Sequence, residues 1–172
     1  MGDYLKILMA EVFKKGNSLY TIVNGPTWSE AKANANKLGG NLVSINSQEE
    51  DIFVWNNIGI PASLKGGEHN EYPSNHVFIG ASDSEQEGVW KWLDGSSFSY
   101  ENWALDQPDN SPPSGEDYLF YQSVHGVDGS GLYAGMWIDA RNDYYIEQLE
   151  NSHIYGIAEI PFIQRGDSAY VI

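Results

Sequence analysis

Apolar and polar positions alternate along residues 19–23 (LYTIV), and β-branched and aromatic types fill them, so the segment reads as a strand. Thr27-Trp28-Ser29-Glu30 follows as a capping box, with Thr27 placed to cap a helix and Glu30 to answer it. That helix is expected to run to about residue 38, where Gly39-Gly40 ends it. Residues 41–46 (NLVSIN) read as a short strand, and Ser47-Gln48-Glu49-Glu50 is a second capping box opening a helix to about residue 57. Acidic residues in the first turn of both helices suit the helix dipole. Helical periodicity then stops. Short apolar runs at 77–79, 89–93, 118–122, 136–138 and 154–160 alternate with turn residues. Two early helices followed by many short strands predict an α+β fold with small antiparallel sheets.

Residues 66–75 form a polar loop, and a longer stretch rich in Pro, Gly, Asp and Asn runs from 94 to 136. Long loops inside a domain are usually functional or disordered. Here Tyr100, Trp103, Tyr118 and Phe120 argue for order. The six tryptophans fall at predicted element positions and are expected to be mostly core.

The chain also repeats itself. GNSLYTI at 16–22 and GDSAYVI at 166–172 match at Gly, Ser, Tyr and Ile with an offset of 150 residues, a period of one domain. Chance likeness of short strands is the alternative. Otherwise residues 1–15 are an N-terminal segment (the end of a preceding unit or a leader strand), 16–163 a domain, and 164–172 the start of a following repeat. Tandem domains in the parent chain are then expected. Arg165-Gly166-Asp167 falls at this junction and reads as structural.

Composition narrows the function. At 172 residues, 41% hydrophobic and 13% aromatic, the chain holds one packed domain. Nine Lys+Arg against 24 Asp+Glu give a net charge of −15, which argues against nucleic acid and anionic membranes as partners. The acidic excess means either solubility in salt or a bound divalent cation. Absent cysteine removes disulfides, thiolate nucleophiles and Cys-based zinc sites without placing the chain inside a cell. The apolar patch at the N-terminus is too short and interrupted for a signal peptide or a membrane span. His69, His76, His125 and His153 have no ligand spacing. There is no Ser/His/Asp order around a Gly-flanked nucleophile and no phosphate-cradling loop. Asp109 with Glu116 is the one carboxylate pair that could cleave a glycoside, and no enzyme is expected.

The informative segment is residues 103–117, WALDQPDNSPPSGED. Oxygen-bearing side chains stand at Asp106, Gln107, Asp109, Asn110, Glu116 and Asp117. Calcium takes six to eight oxygens at about 2.3–2.6 Å, which carboxylates and amides interleaved on a bent loop can supply. The prolines bend the loop in advance, and a cis Pro108 would aim Gln107 and Asp109 at one point. A merely solvated acidic surface has the same composition, so both readings stay open here.

The order of these segments resembles the C-type lectin-like domain over roughly residues 18–162. Trp28 to Leu42 is similar to the family's first helix and following strand, with its Gly-Gly-x-Leu turn. Phe78-Ile79-Gly80 resembles its Trp-Ile-Gly core motif. Gln107-Pro108-Asp109 resembles its sugar-recognition tripeptide, and Trp137-Ile138-Asp139 its Trp-Asn-Asp motif. The resemblance implies two helices, small antiparallel sheets and a long calcium-binding loop. It implies Ca2+ as cofactor, held at a primary site by Gln107, Asp109, Glu116 and Asp139, which also bind the sugar. Ile138 departs from the pattern by removing an amide oxygen, for which Asn142-Asp143 is a candidate substitute. An auxiliary calcium is implied at Asp83, Glu87, Asn110, Glu116 and Asp117, although Asp83 and Glu87 also read as surface charges of a turn.

In such sites two vicinal hydroxyls of a pyranose complete the calcium shell, and Gln-Pro-Asp implies a galactose-type preference. His125 and Tyr133 are the aromatic candidates for stacking on the sugar, while residues 126–131 read as a flexible turn. The expected protein is a cysteine-free, bacterial-type module from a tandem-repeat protein, secreted or on the cell surface and binding a carbohydrate or glycan. Tethered weak sites would gain by avidity. The rival expectation is a calcium-stabilised adhesion domain that binds a protein ligand or ice and ignores sugars. A third is a structural spacer without an ion.

Overall fold

Val12 and Phe13, a two-residue Gly-Asn turn and a second run of β-formers make the first hairpin, β1 (Val12–Lys15) with β2 (Ser18–Asn24). The computed structural model describes residues 11–60, 77–111, 115–122, 133–143, 155–165 and 168–171. The polar loop 66–75 and the predicted turn 126–131, with His125, lie outside them, as do His69, His76 and His153.

Both predicted N-caps form, with the Glu30 carboxylate taking the Thr27 hydroxyl and the Glu50 carboxylate taking Asn46 N. Thr27 Oγ1 accepts from the Glu30 backbone N–H at 3.1 Å and donates to the Glu30 carboxylate at 2.9 Å, opening α1 (Trp28–Lys37). Gly39 ends it in the left-handed region (φ 82°), and a Cβ on Gly40 would meet the Glu159 carbonyl, so only glycine lets the chain turn here into β3 (Asn41–Leu42). Ser47 caps α2 (Gln48–Val54) through the Glu50 N–H at 3.2 Å. The predicted second helix continues as a π-helical turn, Trp55–Gly59. The remaining strands are β4 (Val77–Ser82), β5 (Lys91–Trp92), β6 (Tyr118–Tyr121), β7 (Trp137–Ala140), β8 (Tyr155–Arg165) and β9 (Ser168–Val171).

The sheet runs β1-β2-β8-β4-β6-β7, with β3 and β9 also on β8 and β5 on β4. The α+β class stands, and one pair, β4 with β8, runs parallel among antiparallel neighbours. Period-two alternation divides the buried side chains between two clusters. Val77, Ile79, Leu119, Tyr121 and Trp137 join Val54 and Ile58 of the second helix. Phe78, Phe120, Ile138 and Ala140 join Trp28, Ala31 and Ala35 of α1.

Four of the tryptophans (Trp28, Trp90, Trp92, Trp137) are buried, while Trp55 and Trp103 pack partly buried against the first cluster. The strand pairings at the two segments alike in sequence share a register. In β1–β2 Lys15 faces Ser18 and Val12 faces Thr21; in β8–β9 Arg165 faces Ser168 and Phe162 faces Val171.

Candidate functional site

The long loop is anchored from below by a buried carboxylate. Asp51, on α2, accepts from Tyr100 Oη at 2.9 Å, Asn102 Nδ2 at 2.8 Å and Tyr121 Oη. Asn102 passes the anchorage on: its side chain donates to the Gly135 carbonyl at 3.1 Å, and its own carbonyl accepts from Trp137 N at 2.8 Å. Ala104 N then donates to the Trp137 carbonyl at 2.8 Å, so the loop's first residues lie along β7. Burial pushes the Asp51 carboxyl up, opposed by these hydroxyl and amide donors.

Beyond Ala104 the chain bends sharply. Asp106 and Asn110 have positive φ (62° and 46°), which Asp and Asn tolerate better than other side chains, and the Gln107–Pro108 bond is cis. Asp139 of β7 receives the loop, accepting from Asp109 N at 3.1 Å and Asn110 N at 2.8 Å. Asn110 Oδ1 accepts from Glu116 N at 2.8 Å, and the Glu116 carboxylate accepts from Ser111 N at 3.0 Å. Asp139 N approaches Gln107 Oε1 at 3.4 Å.

These bonds gather three carboxylates. Oxygens of Asp109, Glu116 and Asp139 all lie within 4.8 Å of one another, with Glu116 and Asp139 buried and Asp109 exposed. Burial and the neighbouring Asp139 and Asp109 carboxylates push the Glu116 carboxyl up to about 7, with the Ser111 N–H opposing. Burial also raises Asp139, against the Asn110 and Asp109 N–H groups. An ion about 2.4 Å from each of two oxygens needs them no more than about 4.8 Å apart. All donors here are hard oxygens, Gln107 adds an amide, and like charges crowded together favour a cation. The set fits calcium.

The triad lies in an open cleft of about 330 Å3 that Gln107 also lines. Its apolar lining is Ala104, Leu105, Tyr133 and Ile138, and buried Gln122 contributes a polar group. Tyr133 was a candidate from the sequence. Leu105 and Gln122 were missed; the signal available was an exposed leucine inside an acidic loop, directly before the tripeptide.

The auxiliary set is less convergent. Asp83 follows β4 and is 2% exposed, with Oδ2 accepting from Gly88 N at 2.9 Å and Oδ1 buried without a partner. Burial raises its pKa, and the Glu87 and Asp117 carboxylates add to the rise, which puts both nearby. Among the described residues, however, Asp109, Glu116 and Asp139 are the one trio of such side chains at ion-binding spacing. Glu116 joins the first site, while Asn110 Oδ1 is taken up by the Glu116 N–H. Asn142 is not a substitute ligand: its Oδ1 accepts from Ser29 N at 3.0 Å and Ser29 Oγ at 2.9 Å, clamping the end of β7 to α1.

The arrangement is that of a C-type lectin domain. The family model described as "Lectin C-type domain" matches residues 24–125, more than half of the chain, and the chain belongs to that family. It is 34% identical over 100 residues to a galactose-specific lectin, nattectin, of Thalassophryne nattereri, covering 58% of this chain and 57% of that protein. It is 34% identical over 93 residues to the type-2 ice-structuring protein of Hemitripterus americanus, covering 54% of this chain and 47% of that one. The chain thus spans about half the length of these curated relatives. Among solved structures, the mouse scavenger receptor C-type lectin carbohydrate-recognition domain superposes with a TM-score of 0.61 at 28% identity, covering 87% of this chain and 93% of that one. These relatives are eukaryotic, so the expectation of a bacterial type is not supported. The C-type lectin domain homologues are non-enzymatic binding proteins.

Proposed function

We propose that the protein is a calcium-dependent carbohydrate-binding module of galactose-type preference, with Gln107, Asp109, Glu116 and Asp139 holding the ion and contacting the sugar. The convergence of Asp109, Glu116 and Asp139 within 4.8 Å in an open cleft carries this reading. Calcium, when bound, supplies coordination positions for two vicinal hydroxyls. The chain's own residues then act as hydrogen-bond partners of those hydroxyls, the carboxylates accepting and the Gln107 amide donating. The exposed Asp109 gives a ligand access from solvent, while the loop's bonds to Asp139 hold the donors in place beforehand.

A second ion at Asp83, Glu87, Asn110, Glu116 and Asp117 belongs to the same proposal, supported by the orphaned Asp83 Oδ1. So does an extracellular setting, secreted or at the cell surface. The matching hairpin registers support reading residues 164–172 as the start of a following repeat in a parent chain of tandem domains, after a segment 1–15 and a domain 16–163.

Calcium titration into the EDTA-treated protein tests the reading: two ions per chain are expected, and no binding at millimolar calcium overturns it. Ile138 favours a second reading. An apolar side chain beside Asp139 suits a calcium-stabilised adhesion domain that binds a protein or ice, for which a glycan array with and without EDTA should stay blank.

A further inference from the structure

Resting on the repeat reading of residues 164–172 above, we infer that β8 is a strand shared by two copies of this domain, so that the following copy docks rigidly on the turn between α1 and β3 with no linker. Residues 155–161 of β8 pair with β2 and close this domain, while residues 162–165 pair with β9. The change of partner falls at Pro161, which carries no N–H to donate, and the strand runs unbroken from Tyr155 to Arg165.

The second pairing reproduces the register of the first hairpin with 150 added to every number. Val12 facing Thr21 becomes Phe162 facing Val171, Phe13 facing Tyr20 becomes Ile163 facing Tyr170, and Lys15 facing Ser18 becomes Arg165 facing Ser168. The end of β8 and β9 therefore stand where β1 and β2 of a further copy would stand.

Burial separates what each copy supplies. Val12 is 55% exposed, whereas its counterpart Phe162 is 4% exposed. This domain covers Phe162: the Asn17 carbonyl accepts from its N–H at 2.9 Å, and Lys14 Nζ stands 4.9 Å over its ring. Val171 is 54% exposed, whereas its counterpart Thr21, between β1 and β8 in the sheet, is 4% exposed. A single exposed valine is ordinary. Two of them, each with a buried counterpart one period away, mark faces that a preceding and a following copy cover.

Val171 also fixes where the following copy sits. Its Cγ1 lies 2.6 Å from the place a Cβ on Gly39 would take, at the left-handed turn (φ 82°) that ends α1. The glycine that turns the chain thus also makes room for the neighbour's strand. Units joined through one strand have no linker to rotate about, and each meets its neighbour through a fixed interface. Their clefts then stand at a set spacing, rather than on flexible tethers.

The test is a two-copy chain in which Arg165 is followed directly by Gly16 of a second copy running to Ile172. Its partner is a variant with a flexible Gly-Ser segment inserted between Pro161 and Phe162. Backbone NMR relaxation should give both copies one correlation time, that of a particle of the combined mass, and the insertion should return each to the single-domain value. In the single chain, residues 168–171 should already relax as β2 does, because their seat on Gly39 is present. Independent tumbling of the two copies, or free motion of residues 168–171, overturns this inference and leaves tandem domains standing. A parent transcript with no further copy beyond residue 172 overturns the repeat reading itself.

Discussion

Two acidic clusters draw on one long loop, and only the one completed from β7 is gathered. Asp139 lies on β7, paired with Leu119 of β6, and Glu116 stands two residues before β6 begins, so two of the three carboxylates hang from neighbouring strands. Asp109 is then drawn in by the N–H bonds that its own loop makes to Asp139. Asp83 is equally buried but follows β4, and Glu87 sits beyond it on an exposed turn. Acidic composition is common to both clusters. The difference is backbone anchorage: strand pairing sets carboxylates at ion spacing, while the turn bearing Glu87 does not.

The comparison breaks most sharply at Asp139. Asp139→Ala removes a ligand and the acceptor for two loop N–H groups, and should abolish primary calcium binding and all sugar binding by calorimetry. Retained sugar affinity would show the anchorage to be irrelevant. Asp83→Asn is expected to reduce calcium stoichiometry from two to one, with primary-site affinity changed only a few-fold; unchanged stoichiometry would remove the auxiliary ion.

A third effect is graded with pH. Glu116 is raised from the ordinary carboxylate range to about 7 by burial and its carboxylate neighbours, so the ion-free folded state binds a proton that the unfolded chain has released. The sign follows: ion-free stability falls as pH rises from about 4.5 through 7, and bound calcium reverses the trend. Calcium affinity should weaken by up to tenfold per unit as pH drops below about 7, with proton release on binding seen in buffers of different ionisation enthalpy. The smallest effect is at Asn142. Asn142→Ala removes the side-chain acceptor for Ser29 N and should cost about 1 kcal/mol, a few degrees in Tm, while calcium affinity is unchanged.

Local rules made much of this legible in the sequence. Thr27 and Ser47 each answer a helix start within three residues, so the caps could be read directly. The Gln107-Pro108-Asp109 segment and the strand bearing Asp139 were also visible, because ligand types and spacing lie on the surface of the sequence. What was hidden depends on distant partners. Asp51 looks like one more acid of a helix's first turn, yet Tyr100, Asn102 and Tyr121 make it a buried anchor for the loop. Asn142 looked like a spare ligand until Ser29, 113 residues away, claimed it. The predicted strand 41–46 is regular only at Asn41–Leu42, although Val43 still donates to the Ile157 carbonyl and accepts from Gly80 N, both at 2.8 Å.

Galactose titration into the protein, first with millimolar calcium and then with EDTA, tests the central claim most directly. Saturable one-to-one binding that vanishes with EDTA is the predicted result. Binding that survives EDTA, or no binding while calcium occupies the Asp109, Glu116 and Asp139 site, would contradict it.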